Sequence, residues 1–143
     1  MHHRLAPQAH RGLRVGLGVL WLAALAACGP ATAVDVQYHG YSLVPNPTTF
    51  RAGSVTFNLH NQDGQVLHEF VVVQTDLPAD KLPMGTGSQV DETGLKIAGR
   101  SSKIDVGQSS TLTVNLAAGH YVLFCNIVGH YQLGMHTDFV VTE

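Results

Sequence analysis

Three residues near the end of the chain, Cys125, His130 and Met135, have side chains suited to binding a metal, and four residues separate each from the next. Soft sulfur ligands combined with imidazole suit copper, and a Cys–His–His site with a weak axial methionine is an electron-transfer geometry. Gly129 and Gly134 directly precede two of these residues and permit backbone angles that turn successive side chains inward. The stretch therefore predicts three copper ligands and requires one further histidine.

The alternation of two predicted strands points to His68 as the missing ligand. On a strand over Leu67–Gln74, His68 shares one face with apolar residues, and Cys125 does the same at the end of a strand over 120–125. Alternate residues of a strand point to the same side. If both faces point into a sandwich, the two side chains meet at strand ends, with His130 and Met135 completing the predicted metal site.

Each of these residues also has a simpler structural interpretation. A lone buried cysteine is more often a small apolar residue than a ligand, and Met135 alone could be a core residue. The combined spacing with histidines favours the metal site over both readings. The remaining histidines of the predicted domain are expected at the surface: His39, His60, His120 and His136.

The N-terminal segment resembles an export signal. Residues 1–27 carry three arginines followed by an apolar stretch shorter than the ~20 residues of a spanning helix. Leu25-Ala-Ala-Cys28 resembles a bacterial lipobox, which predicts a lipoprotein signal peptide over 1–27, lipid attached to Cys28 and a tether over 28–33. The alternative is an ordinary secretory signal in which Cys28 is incidental.

The cysteine count bears on the metal prediction. Cys28 and Cys125 are the two cysteines of the chain, so a lipidated Cys28 leaves Cys125 as a lone thiol in an exported protein. An unpaired thiol in an oxidising compartment is a liability unless a metal occupies it. A disulfide between the two is the competing interpretation.

Composition limits the domain organisation and the partners. Residues 34–143 are enough for one compact domain, which we expect to be a monomer. Without the signal segment, five Lys and Arg stand against ten Asp and Glu, a net charge of −5 with neutral histidines. An acidic surface argues against nucleic-acid binding and favours a basic protein partner.

The rest of the chain reads as short strands separated by turns. Residues 54–61 alternate apolar and polar side chains, and Phe70-Val-Val-Val73 is apolar on both faces, which indicates a central strand. Further strands are predicted over 110–116, 120–125 and 137–142, with short candidates at 96–98 and 103–105 and one helical turn at 78–82. This pattern predicts an all-β sandwich or barrel.

The block Gly119–His136 is similar to the C-terminal copper loop of cupredoxins, the plastocyanin and azurin superfamily, and its spacing is closest to sulfocyanin, rusticyanin and auracyanin-like members. Leu67-His68-Glu69-Phe70 resembles their upstream ligand strand. The resemblance covers most of 35–143 and implies a Greek-key β-sandwich of about seven to eight strands with one type 1 copper ion. It departs from the family at Glu69, where many members carry an asparagine that braces the loop.

The resemblance implies a blue copper protein that carries one electron between redox protein partners outside the cytoplasmic membrane, held there by its lipid anchor. An extracytoplasmic copper-delivery protein is the alternative, and a metal-free adhesion domain is a third. We expect no enzymatic activity. A multicopper oxidase carries a His-Cys-His triplet, whereas Cys125 lies between Phe124 and Asn126. A cysteine nucleophile would need an exposed thiolate and a general base.

Overall fold

The computed structural model describes residues 32–62 and 65–143, and the predicted signal peptide and Cys28 lie outside them. These residues form nine strands and one 3-10 turn. In chain order the strands are β1 (Thr32–His39), β2 (Ser42–Asn46), β3 (Thr49–Arg51), β4 (Gly53–His60), β5 (Val71–Gln74), β6 (Lys96–Arg100), β7 (Ser109–Leu116), β8 (Gly119–Phe124) and β9 (His136–Thr142). The turn spans Ala79–Lys81, inside the helical turn predicted at 78–82.

Two sheets face each other. One has the order β2-β1-β4-β7 and the other β3-β9-β8-β5-β6. The pairs β1–β4 and β3–β9 are parallel, and the other pairs are antiparallel. The predicted all-β sandwich is confirmed. The nine described strands exceed the expected seven to eight, in part because β3 has only three residues and is too short to show a recognisable alternation.

The core follows the predicted alternation. On β4, Val55, Phe57 and Leu59 are fully buried between the sheets, while the residues between them are partly exposed. The second sheet is buried on both faces: one set of side chains faces the first sheet, and a second apolar cluster packs under the segment that carries the 3-10 turn. A strand covered on both sides has no polar face, which accounts for the apolar run in β5.

The strand predicted over 67–74 starts later than expected. Its regular ladder begins at Val71, between β6 and β8. Before that point, His68 makes a single isolated bridge with Ile104, and the Phe70 N–H donates to Ser101 Oγ at 3.0 Å. The Ser101 side chain thus accepts a backbone N–H that would otherwise bond to a neighbouring strand. The predicted strand at 103–105 is likewise reduced to this one bridge.

Candidate metal centre

His68, Cys125 and His130 converge inside the sandwich. Their donor atoms all lie within 4.8 Å of one another, and all three residues are buried. Cys125 Sγ lies 3.4 Å from His130 Nδ1. Among the residues that the structure describes, no other set of three His, Cys, Asp or Glu residues comes together in this way.

His68 is positioned by its backbone and by an aromatic ring. Its N–H donates to Ile104 O at 3.0 Å and its carbonyl accepts the Ile104 N–H at 2.8 Å. The side chain points between the sheets, as alternation predicted, and its ring stacks on Tyr38 with centroids 4.7 Å apart and an interplanar angle of 15°. Tyr38 was missed from the sequence because it belongs to β1 in the opposite sheet.

The loop that carries the other donors leaves β8 and returns to β9. It is closed by the Cys125 N–H, which donates to Met135 O at 3.0 Å, and by the Met135 N–H, which donates to His130 O at 3.1 Å. Gly129 and Gly134 have φ angles of 80° and 105°, a region that disfavours side chains with a Cβ. The predicted use of these glycines is therefore confirmed.

Met135 is fully buried and belongs to the same core cluster as Cys125. The backbone bonds within the loop keep it close in space to the cysteine and to His130. Its expected role as an axial ligand remains a prediction.

Burial favours the neutral forms of the two loop donors. Desolvation raises the pKa of the Cys125 thiol, opposed by hydrogen bonds from backbone N–H groups, including that of Glu69 at 3.3 Å. Desolvation also lowers the pKa of His130. A neutral imidazole is ready to bind a metal, whereas a buried thiolate needs a cation to compensate its charge.

The loop presents apolar side chains to solvent. Val128 and Leu133 are 62% and 58% exposed, whereas Ile127 packs against the core. Tyr41 is also exposed and makes an edge contact with the His130 ring at 5.1 Å. Tyr41 lies in the turn between β1 and β2, in the sheet opposite the loop, so the sequence did not predict this contact.

The other predicted surface histidines lie outside the donor cluster. His39 is exposed, and His60 lies 3.1 Å from Ser109 Oγ through Nδ1. His60, His120 and His136 are more enclosed than expected, and all three are only partly exposed. His120 Nε2 lies 2.9 Å from Asp138 Oδ1, and the His136 ring packs on Tyr131. Neither side chain takes part in the donor set.

The donor chemistry fits copper. Two imidazoles and one thiolate, with a thioether nearby, form the set that selects a type 1 copper ion, and no carboxylate belongs to the cluster. Structural zinc sites hold four Cys, His or carboxylate donors, whereas this cluster offers three. His68, Cys125 and His130 are consistent with a single type 1 copper site.

Comparisons with known proteins agree with this geometry. A family model described as Sulfocyanin (SoxE) domain matches residues 31–143. Auracyanin B superposes with a TM-score of 0.61 at 21% identity, covering 80% of this chain and 91% of that one. No curated protein sequence matches the chain.

Two further solved structures share the fold. The auracyanin of the photosynthetic bacterium Roseiflexus castenholzii gives a TM-score of 0.58 at 23% identity, covering 80% of this chain and 100% of its own. Rusticyanin from Thiobacillus ferrooxidans gives 0.59 at 22% identity, covering 80% of this chain and 79% of that one.

Proposed function

This chain belongs to the sulfocyanin (SoxE) family of cupredoxins, and on that premise we propose that it carries single electrons between redox proteins outside the cytoplasmic membrane. The observation that supports this most directly is the convergence of His68, Cys125 and His130 in the core. At this site a copper ion would supply the one-electron chemistry, as Cu(I) and Cu(II). The protein would supply the donors, their rigid support and the surface for a redox partner.

His68, Cys125 and His130 would hold the ion, and the buried thioether of Met135 would supply a weaker fourth donor. Thiolate and imidazole together accept both oxidation states of copper. His68 is fixed by its bridge to Ile104, and the loop is closed at both ends by backbone hydrogen bonds. Donors held in this way have little room to rearrange when charge changes, which keeps electron exchange fast.

The His130 edge is the electron exit. His68 is fully buried, whereas His130 retains slight exposure and contacts the ring of the exposed Tyr41. Val128 and Leu133, on the same loop as His130, are also exposed. Exposed apolar surface beside a functional group is typical of a docking site for another protein. A redox partner that covers these three side chains approaches the donor set through the His130 ring.

The location rests on the sequence of the N-terminal segment. The signal-like residues 1–27 and the lipobox-like Leu25–Cys28 support export followed by lipid attachment at Cys28. An anchored carrier would stay close to membrane-bound redox partners. Among the described residues, no helix has both the length and the apolar character needed to cross a bilayer.

The visible and EPR spectra of copper-loaded protein test the proposal. We expect intense colour from thiolate-to-copper charge transfer, lost in Cys125→Ser and retained in His136→Ala, since His136 lies outside the donor cluster. A colourless Cu(II) complex would exclude a type 1 site. Repeated reduction and reoxidation without loss of copper distinguishes a carrier from a delivery protein, which would release Cu(I) to an acceptor.

A further inference from the structure

Four polar side chains form a continuous hydrogen-bonded chain beside the metal centre. Arg100 Nη1 donates to Glu69 Oε1 at 2.5 Å, and its Nη2 donates to Glu92 Oε2. Asn126 Nδ2 donates to the other oxygen of Glu92 at 2.6 Å. We call this series, Glu69–Arg100–Glu92–Asn126, the polar chain.

The polar chain joins the two segments that carry buried donors. Glu69 directly follows His68, and Asn126 directly follows Cys125. The regular pairing of β5 with β8 stops at Val71 and Phe124, so both donors lie beyond the last ladder pair. The polar chain therefore links the two segments where the sheet no longer does.

Each member of the polar chain is at least partly enclosed. The side chains of Glu69, Glu92 and Arg100 are 14%, 26% and 36% exposed. A guanidinium presents two donors in a planar fork and can hold two carboxylates at once, which a lysine ammonium cannot do with the same geometry. Arg100 therefore fixes the distance between the two glutamates.

Asn126 is fixed at the other end. Its Oδ1 accepts the Val90 N–H at 2.8 Å, and its Nδ2 also donates to Val90 O at 3.2 Å. The Asn126 carbonyl accepts from Gln89 Nε2 at 2.6 Å. The segment around Val90 thus clamps the residue after Cys125, and Glu92 passes that constraint on to Arg100.

The structure provides a direct link from the polar chain to the cysteine sulfur. The backbone N–H of Glu69 points at Cys125 Sγ, 3.3 Å away. Hydrogen bonding to the cysteine sulfur tunes the potential of this class of copper site. A hydrogen bond to a thiolate withdraws electron density and favours Cu(I), so keeping it raises the potential.

We propose that Arg100 and Glu92 are positioning residues of the copper site, which hold the Glu69 N–H against Cys125 Sγ by tying Glu69 to Asn126. The proposal rests on the function proposed above. Outer groups that orient metal ligands are typically worth 10–100-fold in metal affinity. Glu69 would then help to hold the loop, although it stands where many cupredoxins carry an asparagine.

Arg100→Lys tests the geometry at constant charge. We expect a lower reduction potential, about tenfold faster loss of copper to a chelator, and faster hydrogen exchange of the Glu69 amide in copper-free protein. Arg51→Lys is the matched control, since Arg51 is exposed and donates to the main-chain oxygen of Glu143. If Arg100→Lys matches Arg51→Lys in all three measurements, the proposal is wrong.

Glu92→Leu separates positioning from simple charge effects. Removing a negative charge by itself favours Cu(I) and raises the potential, whereas breaking the polar chain lowers it. Asp91→Asn removes a charge one residue away and keeps an oxygen for the Thr93 N–H, which Asp91 Oδ1 accepts. A potential that rises in Glu92→Leu as in Asp91→Asn would overturn the proposal.

The two proposals fail in different ways. If wild-type protein forms no blue copper complex, the proposed function fails, while the amide exchange of copper-free protein still reports on the polar chain. If wild-type protein is blue but Arg100→Lys leaves the Glu69 amide and the potential unchanged, only the polar chain fails.

Discussion

At the residue scale, the chemistry of the buried Cys125 thiol depends on its surroundings. Burial raises its pKa and so favours the neutral thiol in copper-free protein. Metal binding requires the thiolate and therefore releases a proton. The backbone N–H of Glu69 reduces the cost of the charged form, which makes the sulfur ready for a cation without making it a reactive surface nucleophile.

Met135→Leu should keep copper and raise the reduction potential. Leucine has a similar volume, so the core should lose less than about 1.5 kcal/mol. The lost thioether is a donor to Cu(II), and without it Cu(I) is favoured. Voltammetry gives the potential, with Met84→Leu at a partly exposed site as the control. An unchanged potential would argue against an axial role for Met135.

Tyr38→Phe should stabilise copper-free protein by about 1 kcal/mol. The hydroxyl of Tyr38 is buried with no hydrogen-bond partner among the described residues, while its ring stacks on His68. Phenylalanine keeps the ring and removes the polar group. Urea unfolding measures the change.

Tyr121→Phe is the control for this prediction and should change stability in the opposite direction. The Tyr121 hydroxyl donates to Ala117 O at 2.9 Å, so its loss should cost about 1 kcal/mol. Equal losses in both variants would show that the Tyr38 hydroxyl has a stabilising partner.

At the level of elements, sequence periodicity succeeded where one face of a strand is buried and the other is not. The polar and apolar residues of β4 alternate over its full length, because one side packs on the second sheet. The start of β5 was placed too early because the residues before it bond to the 101–104 segment through one bridge and a serine side chain. Such local pairing leaves the periodicity of the side chains unchanged.

The strand β6 contains a glycine that has no room for a side chain. A Cβ on Gly99 would overlap Val114 Cγ1 on β7, where the edges of the two sheets approach each other. Valine is stiff at χ1 and cannot easily move away. We expect Gly99→Ala to destabilise the protein by about 1–3 kcal/mol through overpacking.

Thermal or urea unfolding of copper-free protein tests this, with Gly85→Ala as the control. A Cβ at Gly85 would reach ordinary contact with Asp91 Cβ at 3.4 Å, so a small effect is expected there. Equal stability losses in the two variants would mean that the approach of β6 to β7 is not tight.

For the whole molecule, the two cysteines should separate location from chemistry. Cys28→Ser should move the exported protein from the membrane fraction to the soluble fraction and leave the blue colour intact, since lipid would no longer be attached. Cys125→Ser should leave the protein in the membrane fraction and abolish the blue colour. Cell fractionation and visible spectra give the two readings. A Cys28→Ser protein that stays with the membrane would contradict the lipid anchor.

The sequence predicted the three converging donors because loop spacing and strand alternation are local properties. It could not predict Tyr38, Tyr41 or Arg100 as neighbours of the site, since each reaches it from another strand or from the opposite sheet. Contacts of that kind depend on the packing of two sheets, which no single stretch of sequence encodes.

The hydrogen bond from the Cys125 N–H to Met135 O lies one step beyond the last β8–β9 pair, Phe124 with His136. The segment between these residues is therefore an excursion from a hairpin that is already complete. Doubling the length of such an excursion adds only about 0.6 kcal/mol of closure entropy. Insertions or exchanges at its exposed positions, Val128 and Leu133, should be absorbed without unfolding the sandwich, so that evolution or a protein engineer can vary the surroundings of the site without altering the scaffold.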